Sequence, residues 1–239
     1  MDRAVARSFA LLECLARAGE PMRLADICRR VGLQKSTAHR ILHSLIDLGY
    51  AAQDSAGRYL ATLRTWELGA ELAAKHPIKR AAAGFLLGLH RITGETVSLT
   101  VLSGTDVVYL DKIVAPRPVR FMTRVGSRAP AAFTAGGKAI LAARADRADL
   151  IADIATSHPL DVSALQVELE EARGRGYARS GHSPGVVSIG VAVAIGDAPA
   201  EAALSVSAPV DRMTTAAQEA AIDALLETGA RMSEALSSR

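Results

Sequence analysis

The chain has 239 residues, of which 49% are hydrophobic, and it carries 28 Lys or Arg against 25 Asp or Glu. This length is sufficient for two ordinary domains, each with its own core. The sequence contains no apolar run long enough to span a bilayer and no signal-peptide pattern, so we expect a cytoplasmic protein. Cys14 and Cys28 fall on apolar faces of predicted helices, which indicates buried thiols rather than a disulfide framework.

The excess of positive charge lies in the N-terminal part of the chain. Residues 1–60 contain nine Lys or Arg and six Asp or Glu, whereas residues 61–239 contain nineteen of each. Such a distribution indicates a surface for a polyanion. Three charges alone give modest affinity for nucleic acid, and dimerisation would double them.

An amphipathic helix is predicted from Arg3 to Ala18, and Gly19-Glu20-Pro21 ends it. Its candidate core residues are Ala4, Phe9, Leu11, Leu12 and Leu15.

Residues 24–47 predict two short helices joined by a tight turn. Gly32 ends the first helix, because glycine adopts a positive φ readily. The apolar face of the first helix comprises Leu24, Ile27, Cys28 and Val31. The buried stripe of the second comprises Ala38, Ile41, Leu42 and Leu45, extended by Ile46 and Leu48.

The opposite face of the second helix is polar. A helical wheel places Ser36, Arg40, His43 and Asp47 there, flanked by Thr37 and Ser44. This pattern is typical of the recognition helix of a helix-turn-helix protein, which enters the DNA major groove. Arg40 is suited to a guanine edge, and Ser36 or Thr37 to a base or a phosphate. The alternative is a helical corner with a solvated face.

A β-hairpin is predicted directly after this helix. The turn 54–57 separates two short segments, 49–53 and 58–61, as in the wing of a winged helix. Arg58 would then contact the phosphate backbone. His39 and His43 are spaced i, i+4 as metal-binding histidines can be, but no third ligand is near and Arg40 lies between them, so we favour DNA contacts for this pair.

A linker helix is predicted from Thr62 to about Lys75, and Pro77 marks the boundary beyond it. Its candidate apolar contacts are Leu63, Trp66, Leu68 and Leu72. We therefore predict a DNA-binding domain at 1–61, a linker at 62–76 and a second domain at 77–239.

The second domain shows mixed helix and strand patterns, so we expect an α/β or α+β fold. A helix ends at Gly94, and two strands follow, joined at 103–106. Short extended pieces are predicted around Val119 to Met122. The remaining predictions are helices at about 135–143, 161–173 and 215–237, and strands at 177–178, 186–195 and 201–207.

The best candidate site in this domain is Ala135-Gly136-Gly137-Lys138, which begins a helix. Free amides at a helix N-terminus suit a carboxylate or another small anion. Glycines that permit tight helix packing are an equally good explanation. Ala132 and Ala139 break the P-loop pattern, so nucleotide binding is not supported. Ser188, Ser205 and Ser207 lie in predicted strands, where they either line a polar pocket or pair across the sheet.

An enzyme of small acyl or acid metabolism fused to a DNA-binding domain is the main alternative. His182-Ser183 lacks the G-x-S-x-G context of a hydrolase serine, and no metal set or nucleotide loop is recognisable. We therefore expect no catalysis, no cofactor and no metal. A third possibility is an interaction module with an empty pocket.

Over nearly its whole length the chain resembles the isocitrate lyase regulator (IclR) family of bacterial transcription factors. The resemblance is carried by LADICRRVGLQKSTAHRILHSLIDLGY with the following wing, the linker at Glu67-Leu68-Gly69, and the segments TAGGKAILA, RGRGYARS and ALSVSAPVDRMT. It implies an α+β protein with an N-terminal winged helix-turn-helix domain, a linker helix and a C-terminal GAF-like effector-binding domain. It also implies dimers, or dimers of dimers, that bind palindromic operators and respond to small acids or aromatic metabolites.

Two sets of site residues follow for this chain. The predicted DNA contacts are Arg23, Lys35, Ser36, Thr37, Arg40, His43, Ser44 and Arg58. By resemblance to the family, the predicted effector contacts are Phe121, Ala129, Ala135, Gly136, Ser180, Ser188, Ser205 and Ser207.

One loop departs from the family pattern. Many members carry an acidic Asp-x-Glu-Glu cluster after the RGY turn, whereas this chain has Ser180-Gly181-His182-Ser183. The loss of those carboxylates makes the mouth of the pocket less negative. We therefore expect an anionic effector, such as a carboxylate, that acts allosterically on DNA binding.

Overall fold

The computed structural model describes residues 2–196 and 198–238, so the outermost residues of the predicted domains, Met1 and Arg239, lie outside the described residues. The chain divides into two compact units, Met1–Lys75 and His76–Arg239. The first is a helix-turn-helix unit and the second combines a sheet with helices, which confirms the predicted α+β fold class. None of the described helices is long and apolar enough to cross a membrane.

The N-terminal unit is a helix-turn-helix followed by a wing. Its elements are α1 (Arg3–Ala18), α2 (Leu24–Val31), α3 (Lys35–Asp47), β1 (Ala51–Gln53), β2 (Tyr59–Ala61) and α4 (Arg64–Lys75). Gly32 has a φ of 67° at the end of α2, as the sequence predicts. The strands β1 and β2 pair antiparallel and confirm the predicted hairpin.

The core of this unit contains the predicted apolar stripe of α3. Its buried residues include Leu11, Leu15, Ile27, Cys28, Ala38, Ile41, Leu42 and Leu45. The prediction was wrong for Phe9, whose exposed fraction is 62%. Phe9 and Leu11 are two residues apart, about 200° on the helix, so a helix that buries Leu11 turns Phe9 outward. Ala4 is exposed in the first turn of α1, before the buried residues begin, and Cys14 is only half-buried.

Two further apolar predictions fail. Leu48 is 66% exposed, because α3 ends at Asp47 and the chain leaves the helix there. The predicted linker helix is present as α4, but it has no buried residue in the described chain. The apolar side chains predicted for the linker are 46–73% exposed: Leu63, directly before α4, and Trp66, Leu68 and Leu72 within it.

The C-terminal unit has a sheet between two helical layers. Its helices are α5 (Pro77–Thr93), α6 (Ala135–Ala143), α7 (Arg147–Ser157), α8 (Val162–Arg175) and α9 (Thr215–Ser237). Its strands are β3 (Thr96–Ser103), β4 (Asp106–Ile113), β5 (Arg128–Pro130), β6 (Ala178–Ser180), β7 (Val186–Ile195) and β8 (Ala198–Pro209).

Most of the predicted elements are present, and the differences have physical reasons. Val119 to Met122 alternate as a strand would, but the segment forms no strand. Its carbonyl groups accept hydrogen bonds from side chains, at Val119 from Arg212 and at Phe121 from Thr96. The helix α7 and the strand β5 were not predicted, since each has too few periodic apolar residues to be recognised.

The sheet has the strand order β5-β4-β3-β8-β7-β6 over the described residues, and each of the recorded pairings is antiparallel. The helices α5 and α9 cover one face. That face presents Val97 and Leu99 from β3, Leu204 and Val206 from β8, and Ile189, Val191 and Val193 from β7. The helix α6 packs on the opposite face.

Near the N-terminus of α6, the sheet face that α6 covers carries hydroxyl groups, because side chains alternate along each strand. The strand β3 contributes Thr96, Ser98 and Thr100 there. The register pairs Thr96 with Ser207 and Ser98 with Ser205, and Ser207 in turn with Ser188 of β7. A contiguous array of hydroxyl groups therefore lies on the sheet beside the N-terminus of α6.

Candidate functional site

The outer face of α3 displays the residues that the sequence assigned to DNA. Lys35, Ser36, Arg40, His43 and Ser44 are exposed, and Thr37 is half-buried. None of the ion pairs among the described residues includes Arg40. Its guanidinium therefore has no acidic partner in the described part of the chain.

The two helical histidines contact each other on this face. The Nε2 atoms of His39 and His43 are 3.1 Å apart, and their ring centroids are 4.3 Å apart. Within the described residues, no three His, Cys, Asp or Glu side chains converge to hold a metal ion.

The wing is fastened by one carboxylate. Asp54 Oδ1 accepts hydrogen bonds from the amides of Arg58 at 2.8 Å and Ala56 at 3.0 Å. Asp54 Oδ2 accepts a third from Arg58 Nε at 2.7 Å. The hydrogen bond from the Arg58 amide is the main reason why the pKa of Asp54 is lowered. Arg58 is exposed at the wing, with its charge paired to Asp54.

Two of the predicted DNA-contacting arginines line one cleft. Met22 and Tyr59 exchange two main-chain hydrogen bonds of 2.8 Å, which tie the wing to the chain just before α2. Arg23 is the N-cap residue of α2, and it lines this cleft together with Arg58. Arg29 and Arg30 also line the cleft, so its four arginines outnumber its two acidic residues, Glu20 and Asp26. Arg29 is paired with Asp26 at 3.0 Å and Arg58 with Asp54.

The predicted effector residues converge at the N-terminus of α6. Seven of the eight line one small cavity of about 40 Å³. These are Phe121, Ala135, Gly136, Ser180, Ser188, Ser205 and Ser207. The eighth, Ala129, lines the adjoining groove instead. A cavity of this size holds only a few waters, so a larger ligand requires the surrounding side chains to move.

The serines of the pocket have different roles. Ser188 Oγ and Ser207 Oγ lie 2.8 Å apart and pair across the sheet. Ser180 Oγ donates to the carbonyl of Phe133 at 2.7 Å. Ser205 is buried, and its hydroxyl makes no hydrogen bond among the described residues. The sequence left lining and pairing as alternatives, and the structure shows both.

The glycines of α6 also divide between two roles. A Cβ atom on Gly137 would lie 2.2 Å from the carbonyl oxygen of Ala131, so Gly137 permits close packing on the preceding turn. A Cβ atom on Gly136 would lie 2.7 Å from Thr100 Oγ1, so Gly136 keeps space at the pocket wall. The packing explanation offered by the sequence therefore applies to Gly137, and the anion site stays a prediction.

The first turn of α6 leaves amide donors available. Thr134 Oγ1 accepts from the Gly137 amide at 2.9 Å. The amides of Ala135 and Gly136 have no acceptor among the described residues. They lie at the positive end of a helix, where an anion is stabilised. Gly190 allows this close approach, because a Cβ there would lie 2.7 Å from the Ala135 carbonyl carbon.

The sequence missed several residues that line the same cavity. These are Thr100, Tyr109, Phe133, Thr134, Ser183 and Val186. The sequence pattern of β3 could have indicated that Thr100 lies on the polar face of the strand, since polar residues occupy every second position of TVSLT. Tyr109 is buried, and this burial raises the pKa of its phenol.

A larger outer groove of about 410 Å³ adjoins the cavity. Tyr109, Phe121 and Phe133 line both spaces and stand between them. The His182 ring stacks on Phe133 with centroids 4.5 Å apart and an interplanar angle of 9°. The altered loop 180–183 therefore lies at the mouth of the pocket and contributes no carboxylate to it.

A winged helix-turn-helix unit followed by a mixed α and β unit with a polar pocket defines a class of DNA-binding regulators with a separate sensor-type domain. The chain belongs to the IclR family of these regulators. Residues 4–55 match the IclR helix-turn-helix domain, and residues 70–234 match the C-terminal domain of the bacterial transcriptional regulator IclR. The resemblance inferred from the sequence is confirmed.

Relatives align along most of the chain. The Probable transcriptional regulator SauR of Cupriavidus necator is 34% identical over 223 residues, covering 89% of this chain and 88% of that protein. The HTH-type transcriptional regulator XynR of Escherichia coli K12 is 30% identical over 245 residues, covering 98% and 97%. These families and relatives are transcriptional regulators, so the chain is a regulator and not an enzyme.

Solved structures share the fold. An IclR-type regulator from Alicyclobacillus acidocaldarius has a TM-score of 0.82 and 26% identity, with 99% of each chain covered. An IclR homologue from Microbacterium hydrocarbonoxydans, complexed with 4-hydroxybenzoate, has a TM-score of 0.81 and 24% identity, covering 99% of this chain and 100% of that one.

Proposed function

We propose that this regulator is controlled by a small carboxylate that binds at the N-terminus of α6. The observation that carries the proposal is the chemistry of the cavity wall. Two free amides, at Ala135 and Gly136, and the Ser205 hydroxyl face a cavity whose lining residues include no Asp or Glu. Donors at the positive end of a helix favour an anion, and no nearby carboxylate opposes it.

The effector residues can be tested with matched ligands. We expect 4-hydroxybenzoate to bind more tightly than 4-hydroxybenzamide, its neutral counterpart, in isothermal titration calorimetry. Ser205→Ala and Ser207→Ala should each weaken carboxylate binding by about 1.5–3 kcal/mol, the usual range for a hydrogen bond to a charged group. Binding of neutral or cationic ligands alone would contradict the proposal, as would unchanged affinity in both serine variants.

On DNA, we propose that two copies bind a palindromic operator. The helix α4 supports a second copy, because it has no buried residue among those described and exposes Trp66 and Leu72. A second copy also doubles the small positive excess of the N-terminal unit. The two recognition helices then read half-sites about one helical turn apart, or a multiple of it. An effector that prefers one dimer geometry changes operator affinity by about 1–3 kcal/mol.

The recognition helix is tested by Arg40→Ala. We expect a loss of about 1–3 kcal/mol in operator affinity and weaker selection against a scrambled duplex, because Arg40 is assigned to a base edge. Arg58→Ala should weaken binding to every sequence alike, since a phosphate contact carries no sequence information. Fluorescence anisotropy at two salt concentrations measures both effects, and titration at high concentration should show two chains per duplex.

Arg231→Ala is the control for the loss of one positive charge, since Arg231 is exposed on α9 and its ion pair is with the equally exposed Glu227. If Arg40→Ala weakens all duplexes equally, Arg40 is not a base reader. If wild type binds the scrambled duplex as tightly as the operator, the N-terminal unit has a basic surface without sequence specificity.

A further inference from the structure

Thr100 has a buried hydroxyl with no partner. Its relative exposure is 1%, and within the described residues Thr100 Oγ1 makes no hydrogen bond. A buried hydroxyl without a partner destabilises the folded state, because the group has lost its hydrogen bonds to water. Native proteins satisfy most such groups, so an exception in the wall of a cavity requires an explanation.

The pairing of β3 explains why no protein group reaches this hydroxyl. Thr100 lies opposite Ala203 of β8 and Tyr109 of β4 in the sheet register. Alanine offers only a methyl group. The Tyr109 hydroxyl lies at the far end of a long side chain that lines the same cavity. The Thr100 hydroxyl can therefore form a hydrogen bond only with a molecule in the cavity that it lines.

The helix above keeps space for that hydroxyl. A Cβ atom on Gly136 would lie 2.7 Å from Thr100 Oγ1 and 3.4 Å from Ala203 Cβ. Only glycine allows the α6 backbone and the Thr100 hydroxyl to face the cavity this closely. The free Gly136 amide and the free Thr100 hydroxyl thus meet at one wall.

We propose that Thr100 is an effector-contacting residue, whose hydroxyl donates a hydrogen bond to the carboxylate held by the amides of Ala135 and Gly136. This inference rests on the proposed function of the same pocket. The helix supplies two donors from one side, and β3 supplies a third from the sheet. The unpartnered hydroxyl lowers the stability of the empty protein, and the ligand satisfies it.

Ser98 provides a matched control on the same strand. It is also 1% exposed and its Oγ has no partner among the described residues, but it does not line the cavity. Removing either hydroxyl should leave the melting temperature of the empty protein unchanged or raise it. Only the change at Thr100 should weaken binding of the carboxylate.

The experiment compares Thr100→Val, which keeps the shape of the side chain, with Thr100→Ser and Ser98→Ala. Calorimetry with 4-hydroxybenzoate, and with benzoate and acetate as smaller probes, gives Kd, and thermal unfolding without ligand gives Tm. We expect Thr100→Val to weaken binding about tenfold or more, as the loss of a hydrogen bond to a charged group does. Thr100→Ser and Ser98→Ala should bind as wild type, within about threefold.

Equal binding by wild type and Thr100→Val would overturn the inference and leave the hydroxyl to a trapped water. A lower Tm in Thr100→Val would also overturn it, because the hydroxyl would then hold the fold together. If wild type binds none of the three carboxylates, the proposed function fails first, and the inference falls with it.

Discussion

Gly137→Ala is expected to destabilise the C-terminal unit by about 3 kcal/mol or more, at the upper end of the effect of overpacking. The new Cβ would lie 2.2 Å from the oxygen, 2.5 Å from the Cα and 2.7 Å from the carbonyl carbon of Ala131. All three are backbone atoms of the short 3₁₀ turn Ala131–Phe133, so no side chain can rotate away. The helix α6 must move off this turn, and its free amides must move with it.

Urea unfolding of wild type and variant measures this loss. Gly174→Ala is the matched control, since Gly174 lies in α8 and an added Cβ would meet nothing within 4 Å. Gly174→Ala should stabilise the C-terminal unit by about 0.5–1 kcal/mol, because alanine lowers the entropy of the unfolded chain. A Gly137→Ala protein as stable as the Gly174→Ala protein would show that the packing argument is wrong.

The two glycines of α6 show where sequence reasoning stops. The segment TAGGKAILA predicted a helix N-terminus and a possible anion site from local signals alone. It did not show which glycine is needed for helix packing and which one leaves room at the wall of the cavity. The atoms that decide the matter belong to Ala131, Thr100 and Ala203, and they reach the helix only through the tertiary fold.

Elements with strong local signals were predicted almost to the residue. The helices α1 and α9 begin and end where the sequence places them, at Arg3–Ala18 and Thr215–Ser237. Their capping residues and periodicity are local properties. The irregular segment 119–122 was not predictable in this way, because its hydrogen-bond donors are side chains from β3 and from the turn before α9.

The residues of the pocket could be predicted from the sequence only in part. The polar alternation of β3 was visible in the sequence, and it places Thr96, Ser98 and Thr100 on one face. Which hydroxyl lacks a partner depends on the register with β4 and β8, including a bulge between Leu99 and Thr100. Register is a tertiary property, so Thr100 emerged only from the structure.

Arg212→Ala should also destabilise the C-terminal unit by about 3 kcal/mol, the lower end of the range for breaking a buried ion pair. Arg212 Nε and Nη2 donate to the two carboxylate oxygens of Glu95 at 2.6 and 2.7 Å. The Glu95 side chain is only 10% exposed, so its charge would be left buried. Arg117 Nε, 3.9 Å from Glu95 Oε1, compensates little.

The same arginine holds the segment that carries Phe121. Arg212 Nη1 donates to the carbonyl of Val119 at 2.9 Å, and Thr96 Oγ1 donates to the carbonyl of Phe121 at 3.2 Å. Phe121 stands between the cavity and the outer groove. Loss of Arg212 should therefore loosen the entrance to the pocket, and faster cleavage of the native protein by trypsin after Arg120 would report it.

A double variant distinguishes two effects of losing Arg212: the unpaired charge of Glu95 and the lost hydrogen bond to the Val119 carbonyl. Arg212→Ala with Glu95→Gln removes the unpaired charge, so it should recover part of the free energy of unfolding that Arg212→Ala loses. Trypsin cleavage after Arg120 should remain fast in the double variant, because the hydrogen bond from Arg212 to the Val119 carbonyl is still absent. If the double variant is no more stable than Arg212→Ala, the cost does not arise from the Glu95 charge. If trypsin cleavage after Arg120 returns to the wild-type rate, the hydrogen bond from Arg212 does not control the entrance.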